Sequence, residues 1–155
     1  MDAAGTLFVS VSPGPAVNDY LSETVGTVEV ATGAVTVLGT VQTLQNDVDA
    51  MTLDGDGDLL ALDGDVNTGQ RAVYTIDPAN GAASHVATFD SPLISIAYSR
   101  WLDRMFAYRL SANRDLVEVD LSDSTLTDIG TIHTEADFGG STLAGLFFAP
   151  EPSCL

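Results

Sequence analysis

Three stretches of this chain say the same thing. Thr27-Val-Glu-Val-Ala-Thr-Gly-Ala-Val-Thr-Val-Leu-Gly-Thr40 is echoed by Val73-Tyr-Thr-Ile-Asp-Pro-Ala-Asn-Gly-Ala-Ala-Ser-His-Val-Ala-Thr88, and again by Leu116-Val-Glu-Val-Asp-Leu-Ser-Asp-Ser-Thr-Leu-Thr-Asp-Ile-Gly-Thr131. Each copy is an alternating apolar run, a turn rich in Gly, Asp or Asn, and a second alternating run. Period-two alternation with such turns predicts antiparallel hairpins. The closing residues Thr40, Thr88 and Thr131 stand 48 and 43 residues apart.

Between the phrases lies a second repeated element. Ala50-Met-Thr-Leu-Asp-Gly-Asp-Gly-Asp-Leu-Leu-Ala-Leu-Asp63 reads as strand, tight turn, strand, and Ser95-Ile-Ala-Tyr-Ser-Arg-Trp-Leu-Asp-Arg-Met-Phe-Ala-Tyr108 is its counterpart. Half of this element opens the chain, as residues 5–10, and half closes it, as residues 143–148. A repeat of this length built from four short strands predicts an all-β chain, a β-propeller of four-stranded antiparallel blades. With the strands of a blade named A to D from the centre outward, the order is B-C-D, A-B-C-D, A-B-C-D, A. That makes three blades and twelve strands, the first blade completed by Ala144–Phe148. Residues 1–148 form the propeller domain and 149–155 a Pro-rich tail. Three blades are fewer than the usual four to eight, so the reading extends to a homodimer with six. No window carries a helical apolar stripe over three turns, and residues 12–23 are expected to be an irregular loop.

These residues resemble secreted bacterial propellers of the YVTN type and related propellers of the domain-of-unknown-function type. The likeness rests on a short strand, Asp77-Pro-Ala-Asn-Gly81, and a strand ending in Ala87-Thr88, and it covers residues 5–148. The first copy lacks the Asp-Pro, and the third, Asp120-Leu-Ser-Asp-Ser124, lacks both Pro and Gly. The tail, Phe148-Ala-Pro-Glu-Pro-Ser-Cys-Leu155, resembles the start of a PEP-CTERM signal read by exosortase, without its membrane helix and Arg cluster. That resemblance implies a protein of the cell surface or extracellular matrix. Met1 directly ahead of β-like sequence carries the matching expectation that a targeting segment has been removed.

Charge narrows the partners. The chain has 22 acidic and 5 basic side chains, no Lys, and a formal charge of −17 over 155 residues. Such a field repels nucleic acid and anionic membrane. No apolar run is long enough to span a bilayer. Cys154 is the one cysteine, so no intramolecular disulfide and no Cys/His zinc spacing exist.

Three groups of residues are candidates for chemistry. Arg100, Trp101 and Arg104 fall on the A–B turn of the last full blade, where an exposed indole flanked by guanidinium groups would stack on a sugar or anchor a protein. The plainer alternative folds the Trp over the blade edge and pairs the Arg residues with nearby Asp. The D-to-A connections carry Asn46, Asp47 and Asp49, then Asp90, then His133, Glu135 and Asp137; converging carboxylates with an imidazole would hold a divalent metal. The plainer alternative is solvated loop charge. Asp54-Gly-Asp-Gly-Asp58 with Asp65 mimics the acidic positions of an EF-hand loop and makes Ca2+ a candidate ion. Leu59, however, stands where that loop needs Gly, which favours a simple hairpin turn. His85 reads as a partly buried strand residue. No nucleophile elbow, Walker loop or dinucleotide fingerprint is present. The leading expectation is a non-enzymatic module binding a protein or glycan. The alternatives are a metal-dependent lactonase-like hydrolase and a structural matrix component.

Overall fold

The computed structural model describes residues 6–11, 23–41, 48–64, 69–110 and 114–132. Among them the chain is all strand and turn. The eleven strands form three antiparallel sheets. The first holds β1 (Leu7–Val11), β2 (Thr24–Val28) and β3 (Val35–Thr40) in that order. The second holds β4 (Ala50–Leu53), β5 (Leu59–Gly64), β6 (Arg71–Ile76) and β7 (Ala83–Phe89), and the third β8 (Leu93–Ser99), β9 (Arg104–Arg109), β10 (Asp115–Asp120) and β11 (Thr125–Thr131). Every sheet is a meander of sequential neighbours, so the sheets are the blades that the repeat predicts, B-C-D followed by two complete sets of A to D. The first blade's A strand, placed at Ala144–Phe148, lies outside the described residues, as do residues 12–22.

The repeat reaches down to irregularities. A bulge interrupts the C–D pairing at Val25/Gly26, at Val73/Tyr74 and at Leu116/Val117. With Thr40, Thr88 and Thr131 aligned, these are one position in three copies. A bulge there adds twist to the outer pair. The C–D turns repeat as well. The same turn position in each copy, aligned on Thr40, Thr88 and Thr131, is left-handed: Gly33 at φ 71°, Gly81 at φ 77° and Ser124 at φ 58°. The third copy thus keeps the backbone of the turn without its glycine, and Asp123 steadies it by accepting the Thr125 N–H at 3.1 Å and hydroxyl at 2.6 Å.

Packing follows from period two. One face of the second sheet, with Leu60, Leu62, Val73, Ala87 and Phe89, joins Leu93, Ile96, Met105, Ala107, Val117 and Val119 of the third sheet in one core. Its other face, with Leu59, Ala61, Ala72, Tyr74 and Ile76, joins Val25, Val41 and Val48, with Phe8 and Leu38 packed against them. The middle blade is therefore buried on both sides, and every residue of β5 is buried. The first sheet's opposite face bears Leu7, Val35 and Val37, the last two 51% and 62% exposed.

Backbone contacts lock neighbouring blades. A Cβ on Gly39 of β3 would lie 1.8 Å from the Asn80 carbonyl oxygen in the β6–β7 turn, so only glycine admits this approach. The residue heading each C strand adds a side-chain hook. Glu23 accepts the Val48 N–H through Oε2 at 2.9 Å, and the equivalent Arg71 donates from Nε to the Leu93 carbonyl at 2.7 Å. Both hooks reach the entry to the next blade's innermost strand. Arg114 holds the same position in the third blade and is buried.

Candidate functional site

Because the strands of a meander alternate in direction, the A–B and C–D turns gather at one end of the blades, and the B–C and D–A connections at the other. The candidates divide accordingly.

At the first end, a groove of about 1230 Å³ runs between the second and third blades. The β4–β5 turn forms one wall; the β8–β9 and β10–β11 turns form the other. The β4–β5 turn is the Asp-Gly segment Asp54–Asp58. Asp54 Oδ1 accepts the N–H groups of Asp56, Gly57 and Asp58 at 3.0, 2.9 and 2.8 Å, and Gly57 takes φ 92°. The acidic run is a hairpin turn whose first carboxylate is used up on its own backbone.

The opposite wall is braced from beneath. The Tyr98 hydroxyl donates to the Asp103 carboxylate, the Leu102 N–H donates to Ser99 Oγ at 3.3 Å, and Asp103 adopts φ 54°. Phenol and carboxylate also close on Gly55 of the facing turn, where a Cβ would meet the Tyr98 hydroxyl. The hydrogen bond to Asp103 raises the Tyr98 pKa above its ordinary value, with burial and the charges of Asp103, Asp54 and Asp56 acting in the same sense. Asp120 is held below its ordinary value, first by the Ser122 hydroxyl and then by the Ser122 N–H, at 2.7 and 2.8 Å.

On this braced turn Trp101 stands 77% exposed and Leu102 51%. The indole does not fold over the blade edge. Arg104 Nη1 pairs with Glu118 Oε2 at 2.9 Å, while Arg100 has no ion-pair partner among the described residues and lines the groove. Arg100 and Arg104 thus share one groove, with Trp101 between them in sequence. The repeat gave no sign that Asp54 and Asp56 of the facing wall would join them; only the packing of two blades does that.

The other end gathers what the described residues hold of the acidic connections. Arg71 Nε lies 3.7 Å from Asp49 Oδ2, and Arg71 Nη1 donates to the Gln70 carbonyl at 3.3 Å. Gln70 Nε2 donates to Asp90 Oδ1 at 2.5 Å, and Asp63 is 2% exposed nearby. Asp47, His133, Glu135 and Asp137 lie outside the described residues. Among the described residues no three His, Cys, Asp or Glu side chains are grouped as metal ligands. His85 is exposed on β7, not partly buried. Its Nε2 lies 2.8 Å from Thr88 Oγ1 and its ring meets that of its strand partner Tyr74 edge-on at 5.6 Å. With Asp63 and Arg71 these residues line a cavity of about 150 Å³. Among the described residues no helix is long and apolar enough to cross a membrane.

No family model matches the sequence, and no curated protein matches it. Solved structures do. An AtxE2 isopeptidase variant with Astexin3-dC4 bound is 15% identical with a TM-score of 0.53; the match covers 85% of this chain and 20% of that one. A periplasmic gluconolactonase of Pseudomonas aeruginosa, PpgL, is 18% identical with a TM-score of 0.48, over 81% of this chain and 38% of that one. A fungal alcohol oxidase of the AA5 family, in complex with copper, is 15% identical with a TM-score of 0.49, over 81% of this chain and 28% of that one. The chain spans well under half the length of each. At such identity the likeness concerns architecture alone. In architecture, the chain is a succession of antiparallel β-propeller blades.

Proposed function

We propose that this chain is a non-catalytic binding propeller of the cell exterior, holding a protein or glycan in the groove between its second and third blades. The observation that carries the reading is Trp101, 77% exposed on a turn fixed from below by Tyr98 and Asp103. An indole left in water, one residue from the groove-lining Arg100, gains nothing for the fold. Fixed there, it offers a large rigid contact surface at little entropic cost on binding. Two arcs meeting as a homodimer, through the open face with Val35 and Val37, are the assembly proposed with it.

The test is capture on glycan and peptide arrays by the wild type and by Trp101→Ala. Trp101→Ala is expected to lose the wild-type hits while melting within about 0.5 kcal/mol of it, as befits an exposed side chain. Hits that persist undiminished in Trp101→Ala refute the reading.

The hydrolase reading has one observation in its favour, the gathering of Asp49, Asp63, Arg71 and Asp90 at the opposite end. Lactone hydrolysis by the purified chain, abolished in Asp49→Asn, would replace the binding reading with that one.

A further inference from the structure

The groove's dimensions and charge narrow the class of its occupant. A pocket for a small molecule encloses about 300–1000 Å³; this groove, at about 1230 Å³, is larger and open to solvent, which suits a polymer segment. Its lining includes Asp54, Asp56, Asp103, Glu118 and Asp120 against Arg100 and Arg104. Arg104 is already matched by Glu118. The remaining excess is negative, on both walls, inside a chain of charge −17 without a single Lys. An anionic polymer would meet that field head-on, while a cationic one is steered into it. The exposed indole of Trp101, on the same turn as the groove-lining Arg100 and Asp103, adds attraction for ammonium and guanidinium groups.

We propose that the occupant of this groove is a cationic polypeptide segment, its Lys or Arg side chains set against the Trp101 indole and between the carboxylates of Asp56 on one wall and Asp120 on the other. This rests on the reading of the groove as the binding site. The two walls stand on different blades, so the segment lies across the blade junction and reads both turns at once.

Trp101 is the only tryptophan in the chain, which makes its emission a reporter on the turn that carries Arg100 and Asp103 of the groove. Hexalysine, hexaglutamate and a neutral hexasaccharide are titrated into the full chain at low salt. Hexalysine is expected to shift the emission saturably, and hexaglutamate to leave it unchanged. Asp56→Asn/Asp120→Asn leaves a side-chain oxygen at position 120 to accept from Ser122 and leaves the Asp54 brace of the facing turn untouched; it is expected to weaken hexalysine about tenfold, roughly threefold for each exposed ion pair lost. Asp90→Asn, at the opposite end, is expected to leave the affinity within twofold.

An equal loss in Asp90→Asn would mean attraction to the whole acidic surface and overturns the proposal. A saturable shift with the hexasaccharide and none with hexalysine overturns it too, while leaving the groove as a binding site. No shift with any probe, together with array hits that Trp101→Ala retains, removes both readings.

Discussion

Replacing Gly39 by Ala tests whether the blades are locked backbone to backbone. The new Cβ would sit 1.8 Å from the Asn80 carbonyl oxygen, 2.3 Å from its carbon and 2.9 Å from the Gly81 nitrogen. A carbon and a carbonyl oxygen rest in contact at about 3.4 Å, so β3 and the β6–β7 turn must part by roughly 1.5 Å. The obstacle is main chain and cannot rotate away as a side chain would. Gly81 itself sits at φ 77° with Gly39 against it, which leaves the turn little freedom to retreat. Overpacking of this kind costs about 3 kcal/mol, and at this chain length each kcal/mol lowers the melting temperature by roughly 2–4 °C. Gly39→Ala should therefore melt roughly 6–12 °C below the wild type, followed by circular dichroism at the β-sheet minimum. Gly33→Ala is the control. Nothing lies within 4 Å of its Cβ, and its cost is that of a left-handed alanine, about 1 kcal/mol. Equal melting temperatures for the two variants, or a Gly39→Ala protein within 1 °C of wild type by this estimate, would refute the interlock.

The remaining predictions probe charge, pH, strain and assembly. Melting temperature should climb between low salt and about 1 M sodium chloride, where the Debye length has fallen to roughly 3 Å; a flat curve would show that the carboxylates do not repel one another across the surface. Tyr98 has a raised pKa through Asp103. Its neutral form is therefore favoured by folding, and its contribution is intact below the ordinary tyrosine pKa of about 10 and lost as pH rises through the higher folded value. In an ultraviolet titration Tyr98 should be among the last tyrosines to ionise, and Tyr98→Phe should remove that late component. Ser124→Gly relieves a side chain at φ 58° and should raise stability by up to about 1 kcal/mol in urea unfolding. For the proposed homodimer, Val35→Asp/Val37→Asp should yield a monomer by light scattering where the wild type gives twice the chain mass.

What the sequence disclosed and what it hid have a common physical cause. Strand alternation and turn chemistry are local, so the hairpins could be read directly, even in the third copy, where Ser124 replaces the turn glycine. The strand of Leu59–Leu62 was legible as one half of a hairpin, but its burial on both faces comes only from the blades packed on either side. Trp101 was ambiguous between an exposed stack and the blade edge, because how its turn is held, with Tyr98 bonded to Asp103, is not encoded in any pattern of hydrophobicity. The groove was hidden altogether. Its walls come from turns about 45 and 65 residues apart on two blades, and nothing local ties Asp56 to Asp120. The hooks were hidden for another reason: Glu23 and Arg71 share a place but not a chemistry.

That last contrast bears on how such chains can be rearranged. Glu23 takes a hydrogen from the Val48 amide, whereas Arg71 gives one to the Leu93 carbonyl. Each blade is thus keyed to its successor by the polarity of one backbone group, acceptor side chain to amide in the first junction and donor side chain to carbonyl in the second. A blade duplicated by recombination, or moved one place along the chain, would bring its own key to a lock cut for the other. Duplication of whole junctions preserves the match and duplication of single blades breaks it, so the unit that can be copied intact is the hook together with the strand entry it grips.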